Sequence, residues 1–187
     1  MQGLAALRLI TGRSQNGGLS PSALGLVAII ALGLLLRIHQ IGAASLWYDE
    51  IFSAYWIHRP LSYLWTDGLI IETTPPLYYS LLKLWVAFAG DGDVALRLFS
   101  AAASTATIPL VFLLGAELAT PAAGLLAALL FALSPMQIYY AQEARGYAML
   151  PLAFALALLG LLRFLRAARC AGLITGRSGS MPPALLC

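Results

Sequence analysis

Four long stretches without a charged residue constrain this chain more than any other feature. They cover residues 14–36 (apolar from Ala23), 98–116, 118–142 and 146–162. A bilayer core of about 30 Å is crossed by roughly 20 apolar residues in a helix, so each stretch reads as a membrane span. Composition agrees: 60% of the 187 residues are hydrophobic and 10% charged, where a soluble domain carries about a quarter charged. That is more apolar surface than a domain of this size can bury in its own core. A disordered chain, a soluble enzyme and a soluble nucleic-acid binder are thereby excluded. Two cysteines are too few for a disulfide scaffold, and no Cys or His spacing suits a metal. The expected fold is an all-α membrane protein of about four transmembrane helices, with short juxtamembrane helices between the first two.

Thr120-Pro121 interrupts the third stretch and predicts a helix starting at Pro121, because proline fits a first turn. A fifth apolar patch, residues 77–89, is only thirteen residues long and carries Lys83. With Pro75-Pro76 ahead of it, it reads as a helix lying in the interface plane. Charge supports this count. With four spans and an inner N-terminus, the inner side holds Arg8, Arg13, Arg163, Arg166, Arg169 and Arg177 against Glu117 alone. The outer side then holds Arg37, Arg59, Lys83, Arg97 and Arg145 with the other seven acids. That obeys the positive-inside bias, and a fifth crossing at 77–89 would move the arginines of 163–169 outside. Both termini are therefore expected in the cytoplasm. Residues 23–36 also have the length of a signal-peptide core, and Gly42-Ala43-Ala44 offers small residues for cleavage; but Arg37 and His39 intervene and further spans follow. The chain divides into a cytoplasmic segment 1–22, a transmembrane module 23–166 with an outer loop 37–97, and an irregular tail 167–187. Within the tail, residues 173–178 repeat the hexapeptide of residues 9–14, for which there is no physical account.

The outer loop concentrates Trp, Tyr and acids. It opens with Leu46-Trp47-Tyr48-Asp49-Glu50-Ile51-Phe52-Ser53, and the run to His58 predicts a short helix stopped by Pro60. The plain reading gives Asp49 and Glu50 to the positive end of that helix, and Trp47 and Tyr48 to an interfacial aromatic belt. The functional reading is a carboxylate kept ionised at a membrane surface, able to accept a proton from a hydroxyl nucleophile. Three further runs accompany it. Glu72-Thr73-Thr74-Pro75-Pro76-Leu77-Tyr78-Tyr79 leads into the in-plane helix, and Ala95-Leu96-Arg97-Leu98-Phe99-Ser100 opens the second span. Past Ser134-Pro135, Tyr139-Tyr140-Ala141-Gln142-Glu143-Ala144-Arg145-Gly146-Tyr147 returns to the outer face. Singly, these read as a proline helix start, a snorkelling arginine and a tyrosine belt.

In order and combination the four runs resemble the GT-C-fold glycosyltransferases that use polyprenyl-phosphate sugars. The nearest group is similar to the protein O-mannosyltransferases and their bacterial RgtA/B/C/D-like and lipid A aminoarabinose transferase relatives. In such enzymes an Asp-Glu pair begins the first outer loop, as Asp49-Glu50 does here. A polar residue, Pro-Pro and Leu-Tyr-Tyr open a juxtamembrane helix, as at 74–79, and an arginine followed by small residues opens the second span, as at 97–103. A Ser-Pro pair and then a Gln-Glu-Ala-Arg-x-Tyr run follow the third span, as at 134–147. The likeness covers about residues 34–166. The family's module continues through further spans, so this chain is expected to be its N-terminal part. Thr74 stands where many relatives have His or Lys. Arg145-Gly146-Tyr147 lacks the second aspartate of several relatives, so neither a metal nor another cofactor is expected.

The resemblance implies transfer of a mannose-like hexose or a pentose from a polyprenyl-phosphate donor to a protein, lipid or glycan acceptor. The reaction would take place on the outer face with inversion at the anomeric carbon, and without a nucleic-acid partner. It implies Asp49 as the base, with Glu50 orienting the loop or the acceptor. Arg145, then Arg97 and Lys83, would meet the donor phosphate, since guanidinium forks match phosphate oxygens. Glu72, Tyr48 and Glu143 would serve the loop and the acceptor. The competing readings are a non-catalytic membrane protein, such as a transporter or assembly piece, and an inactive truncated transferase. A transporter more often carries charge at mid-span in broken helices. Here every span interior is charge-free, with Pro109 and Pro151 as breakers.

Overall fold

The computed structural model describes residues 20–170, and the regular structure among them is all helical. From the N-terminal side, α1 (Pro21–Ile38) leads into four short helices, α2 (Tyr48–Trp56), α3 (Leu61–Leu64), α4 (Gly68–Ile71) and α5 (Pro76–Ala89). Then come α6 (Asp93–Leu118), α7 (Pro121–Leu133) and α8 (Pro135–Ala141), and, after a tight turn at Gly146–Ala148, α9 (Met149–Cys170). α1, α6 and α9 with its preceding turn are each long and apolar enough to cross a membrane. α7 and α8 make a fourth crossing if the pair, bent by 58°, is one span. The chain is a multi-pass membrane protein.

The helix starts follow from local chemistry. Pro21, Pro76, Pro121 and Pro135 each occupy a first turn, where the missing N–H has no intrahelical partner to lose. Ser20 and Thr120 cap α1 and α7, their hydroxyls accepting from the amides of Ala23 at 3.3 Å and Ala123 at 3.1 Å. α6 is the central element, packing against α1, α7 and α9. Its crossing with α7 is backbone against backbone: a Cβ on Gly115 would stand 2.8 Å from Gly124 Cα, and one on Gly124 would stand 2.5 Å from the Phe112 carbonyl oxygen. Small residues at such a crossing let helices approach where lipid supplies no hydrophobic drive. Leu26, Ile108, Phe112, Ala128 and Ala132 fill the space between α1, α6 and α7. A second cluster, around Trp56, Leu64, Tyr78, Tyr79, Leu82 and Leu96, seats the short helices on the start of α6.

Two differences from the sequence expectation, and one expected break, bear on the site. α6 begins at Asp93 rather than at 98, which puts Arg97 inside the helix and buries it. α1 runs through Ile38, so Arg37 is not the first residue of a loop but a fully buried side chain inside the bundle. The third stretch is broken at Ser134-Pro135 into α7 and α8, as that pair indicated, because Pro135 cannot continue the hydrogen-bond ladder. α5, at fourteen residues, is not among the helices long enough to span. It lines up exposed Leu77, Leu81, Leu84 and Phe88 along one side and buries Tyr78, Tyr79 and Leu82 on the other. Glu117, at the end of α6 remote from the short helices, meets Arg163 at 2.8 Å and Arg166 at 2.9 Å on α9. Both termini, with segment 1–19, the tail from 171 and the hexapeptide pair, lie outside the described residues.

Candidate functional site

At the other end of α6 the acids and cations named from the sequence converge. α2 starts immediately after Trp47, and Glu50 in its first turn folds back so that Oε2 accepts from the Trp47 amide at 3.2 Å. That is a helix-capping contact, but it is a minor part of what Glu50 does. The carboxylate is fully buried and takes both prongs of Arg97, Nε to Oε1 at 2.8 Å and Nη2 to Oε2 at 2.6 Å. The Ala144 amide donates to Oε1 at 2.8 Å. Arg97 in turn donates to the carbonyls of Ile41, Ala44 and Ser45 at 2.9, 2.7 and 3.1 Å. One ion pair thus ties together the loop after α1, the start of α2, the second turn of α6 and the 143–145 segment. Burial alone would push the Glu50 carboxyl up; the hydrogen bonds from Arg97, Ala144 and Trp47 outweigh it and hold Glu50 below the ordinary carboxylate range.

Asp49, one position earlier, is different. It is half-buried, and its carboxylate makes no hydrogen bond or ion pair among the described residues. Its backbone carbonyl accepts from Arg145 Nη1 at 3.3 Å. Arg145 is buried, yet its contacts are loose: Nη1 to the Tyr79 hydroxyl at 3.4 Å, Nη2 to Glu72 Oε1 at 3.7 Å, the Tyr147 phenol close by, and Nε without a partner. Ser100 anchors the same residue by donating to its carbonyl at 3.2 Å. The Tyr79 phenol is pushed up to about 12 by burial and by neighbouring Glu72, so it remains a neutral hydroxyl at Arg145's side. Glu72 is oriented by the Trp56 indole N–H at 3.1 Å and the Thr74 amide at 3.2 Å.

Glu143 completes the group. It is buried with Oε2 unpartnered; its carboxyl is raised by burial and by the nearby charges of Glu50 and Asp49, against which the Tyr139 phenol and Arg145 work. Two of the expected residues stand apart. Lys83 on α5 donates to the carbonyls of Ile57 at 2.7 Å and Arg59 at 3.0 Å, closing the C-terminal end of α2. Tyr48 is exposed and packs edge-on against Phe52. Among the described residues no three His, Cys, Asp or Glu side chains converge as metal ligands.

The three cations therefore differ in what they can still do. Arg97 and Lys83 have short bonds to fixed protein oxygens, whereas Arg145 has a free Nε and long contacts, one of them to the Asp49 backbone carbonyl. Sequence reading put Arg37, Tyr79 and Gln142 at this end of the molecule but gave none of them a role of its own. Arg37 sits at the edge of an apolar run, where a snorkelling and a buried arginine look alike.

Residues 73–179 match the family of dolichyl-phosphate-mannose-protein mannosyltransferases. The chain belongs to that family. The match takes in the Pro75-Pro76 start of α5, Arg97, the Ser134-Pro135 break and the run from Gln142 to Tyr147, and leaves Asp49 and Glu50 upstream of it. No curated protein and no solved structure matches the chain. Its kinship is with membrane glycosyltransferases of the GT-C type, as the runs of the outer loop suggested.

Proposed function

We propose that this member of the mannosyltransferase family transfers a sugar from a polyprenyl-phosphate donor to an acceptor hydroxyl at the outer membrane face. The observation that carries the reading is an Asp49 whose carboxylate is unpaired among the described residues and whose backbone carbonyl is held by the buried, loosely bonded Arg145, next to the Glu50–Arg97 pair that pins the loop. Asp49 accepts the proton as the acceptor oxygen attacks the anomeric carbon. The bond from that carbon to the phosphate oxygen breaks, and the lipid phosphate leaves against the Arg145 fork. Attack opposite to the departing phosphate inverts the anomeric carbon. Glu50 and Arg97 position the loop, Glu72 and Tyr79 steady Arg145, and Glu143 serves the acceptor.

The test is Asp49→Asn in vesicles carrying the full-length protein, with sugar release from a mannosyl polyprenyl phosphate as the assay. A positioned base contributes about a hundred- to ten-thousand-fold. Transfer is expected to fall by at least two orders of magnitude while donor binding persists. Near-normal turnover would return Asp49 to its helix-start role.

A further inference from the structure

We propose that Arg37 and Gln142 form a crossed clamp that fixes the α7–α8 break and thereby sets where Glu143 and Arg145 stand. The break leaves backbone acceptors short of their helical donors, the Phe131 carbonyl keeping only a long 3.4 Å contact from the Ser134 amide. Pro135 has no N–H to give the Phe131 carbonyl, and the start of α8 takes the Met136 amide away from that of Ala132. Inside a membrane bundle such groups need partners from within the protein. Arg37, reaching across from α1, supplies them: Nη1 to the Ala132 carbonyl at 3.1 Å and Nη2 to that of Phe131 at 3.4 Å. Nε donates to Ser104 Oγ on α6 at 2.8 Å, and Nη1 also to the Gly33 carbonyl at 3.0 Å. Gly33 leaves the room, since a Cβ there would stand 2.4 Å from Ile108 Cδ1 and 3.3 Å from Arg37 Nη1. No carboxylate pairs with Arg37 among the described residues, so its work is done on carbonyls and a hydroxyl.

The return contact closes the clamp. Gln142, at the end of α8, donates through Nε2 to the Leu36 carbonyl at 3.2 Å and the His39 carbonyl at 2.9 Å. The C-terminal end of α1 thus holds the break through a side chain and is itself capped by the residue just before Glu143. Arg37 and Gln142 are positioning residues: neither is placed to touch substrate, and both act on the segment that carries Arg145. This part of the inference rests on the proposed donor-phosphate role of Arg145.

The experiment uses the full-length protein in vesicles, with spin labels on unnatural residues at positions 35 and 136, which are both exposed in the structure. The expected result for Arg37→Gln and for Gln142→Leu is a broadened distance distribution. It should come with a donor KM raised roughly ten- to a hundredfold, the scale of a small misplacement, and kcat much less changed. Arg37→Lys should rescue little, because a point ammonium cannot span three elements. The double variant should be no worse than the more damaging single, since both act on one break. An unchanged distance distribution in Gln142→Leu overturns the clamp, even if Arg37→Gln fails to fold. Broadened distances with an unmoved KM support the clamp and overturn the donor-phosphate role of Arg145.

Discussion

Replacing Glu50 by Gln removes one proton's worth of charge and leaves shape intact, so its effect isolates what the buried carboxylate holds. All four partners of that carboxylate are donors. Oε1 faces Arg97 Nε and the Ala144 amide, and Oε2 faces Arg97 Nη2 and the Trp47 amide. A glutamine amide has one acceptor oxygen and one NH2, and either orientation sets that NH2 against two N–H groups. The variant also strands Arg97, which is almost completely buried. Breaking a buried ion pair by removing one partner costs about 3–5 kcal/mol, a factor of roughly a hundred to several thousand in a local opening equilibrium. Hydrogen exchange at the Ala144 amide reads that opening directly, because its acceptor is the mutated group. Protection there is expected to fall by two to three orders of magnitude while the α6–α7 crossing stays protected. A loss below about threefold would refute the view that this pair pins the loop. Wild-type protection carries a matching pH signature: with Glu50 held below the ordinary range, the stabilisation is present at neutral pH and is lost as pH falls through its lowered value.

Arg145→Lys should raise the donor KM by more than tenfold although charge is kept, because an ammonium cannot replace a fork toward phosphate oxygens; substrate titration in vesicles checks it. Glu143 shows the opposite sign to Glu50: its raised carboxyl favours the protonated folded form, so its contribution is present at low pH and fades as pH rises through the raised value. Glu143→Gln should therefore flatten that fade and leave thermal stability at pH 8 unchanged or higher, as melting in detergent will show. Gly124→Ala places a Cβ 2.5 Å from the Phe112 carbonyl oxygen and should lower the melting temperature by several degrees, where Gly160→Ala, which meets no neighbour, should not.

The spans were legible because lipid demands apolar length, and Pro76 and Pro121 mark helix starts by a local rule that needs no tertiary knowledge. The Asp49-Glu50 pair was visible as a motif, and the resemblance gave its members different roles, but the buried partner of Glu50 was not visible. Glu50 finds Arg97 across 47 residues of sequence, and nothing in either neighbourhood distinguishes a buried partner from a surface anchor. Arg37 was hidden for the same reason, its acceptors being backbone carbonyls that every residue carries. Ser134-Pro135 announced an interruption, while the direction taken by α8 afterwards depends on side chains from α1 and was not written locally.

α6 is pegged by ionic contacts at both ends, at Arg97 and at Glu117. Twenty residues separate these two positions in the sequence, which at 1.5 Å per residue is about 30 Å, the thickness of a hydrocarbon core. A helix fastened in this way cannot slide along its axis to follow a thicker or thinner bilayer. Hydrophobic mismatch is left to tilt the whole bundle or deform the surrounding lipid, so acyl-chain length acts on the angle at which the loop end of α6 meets the interface.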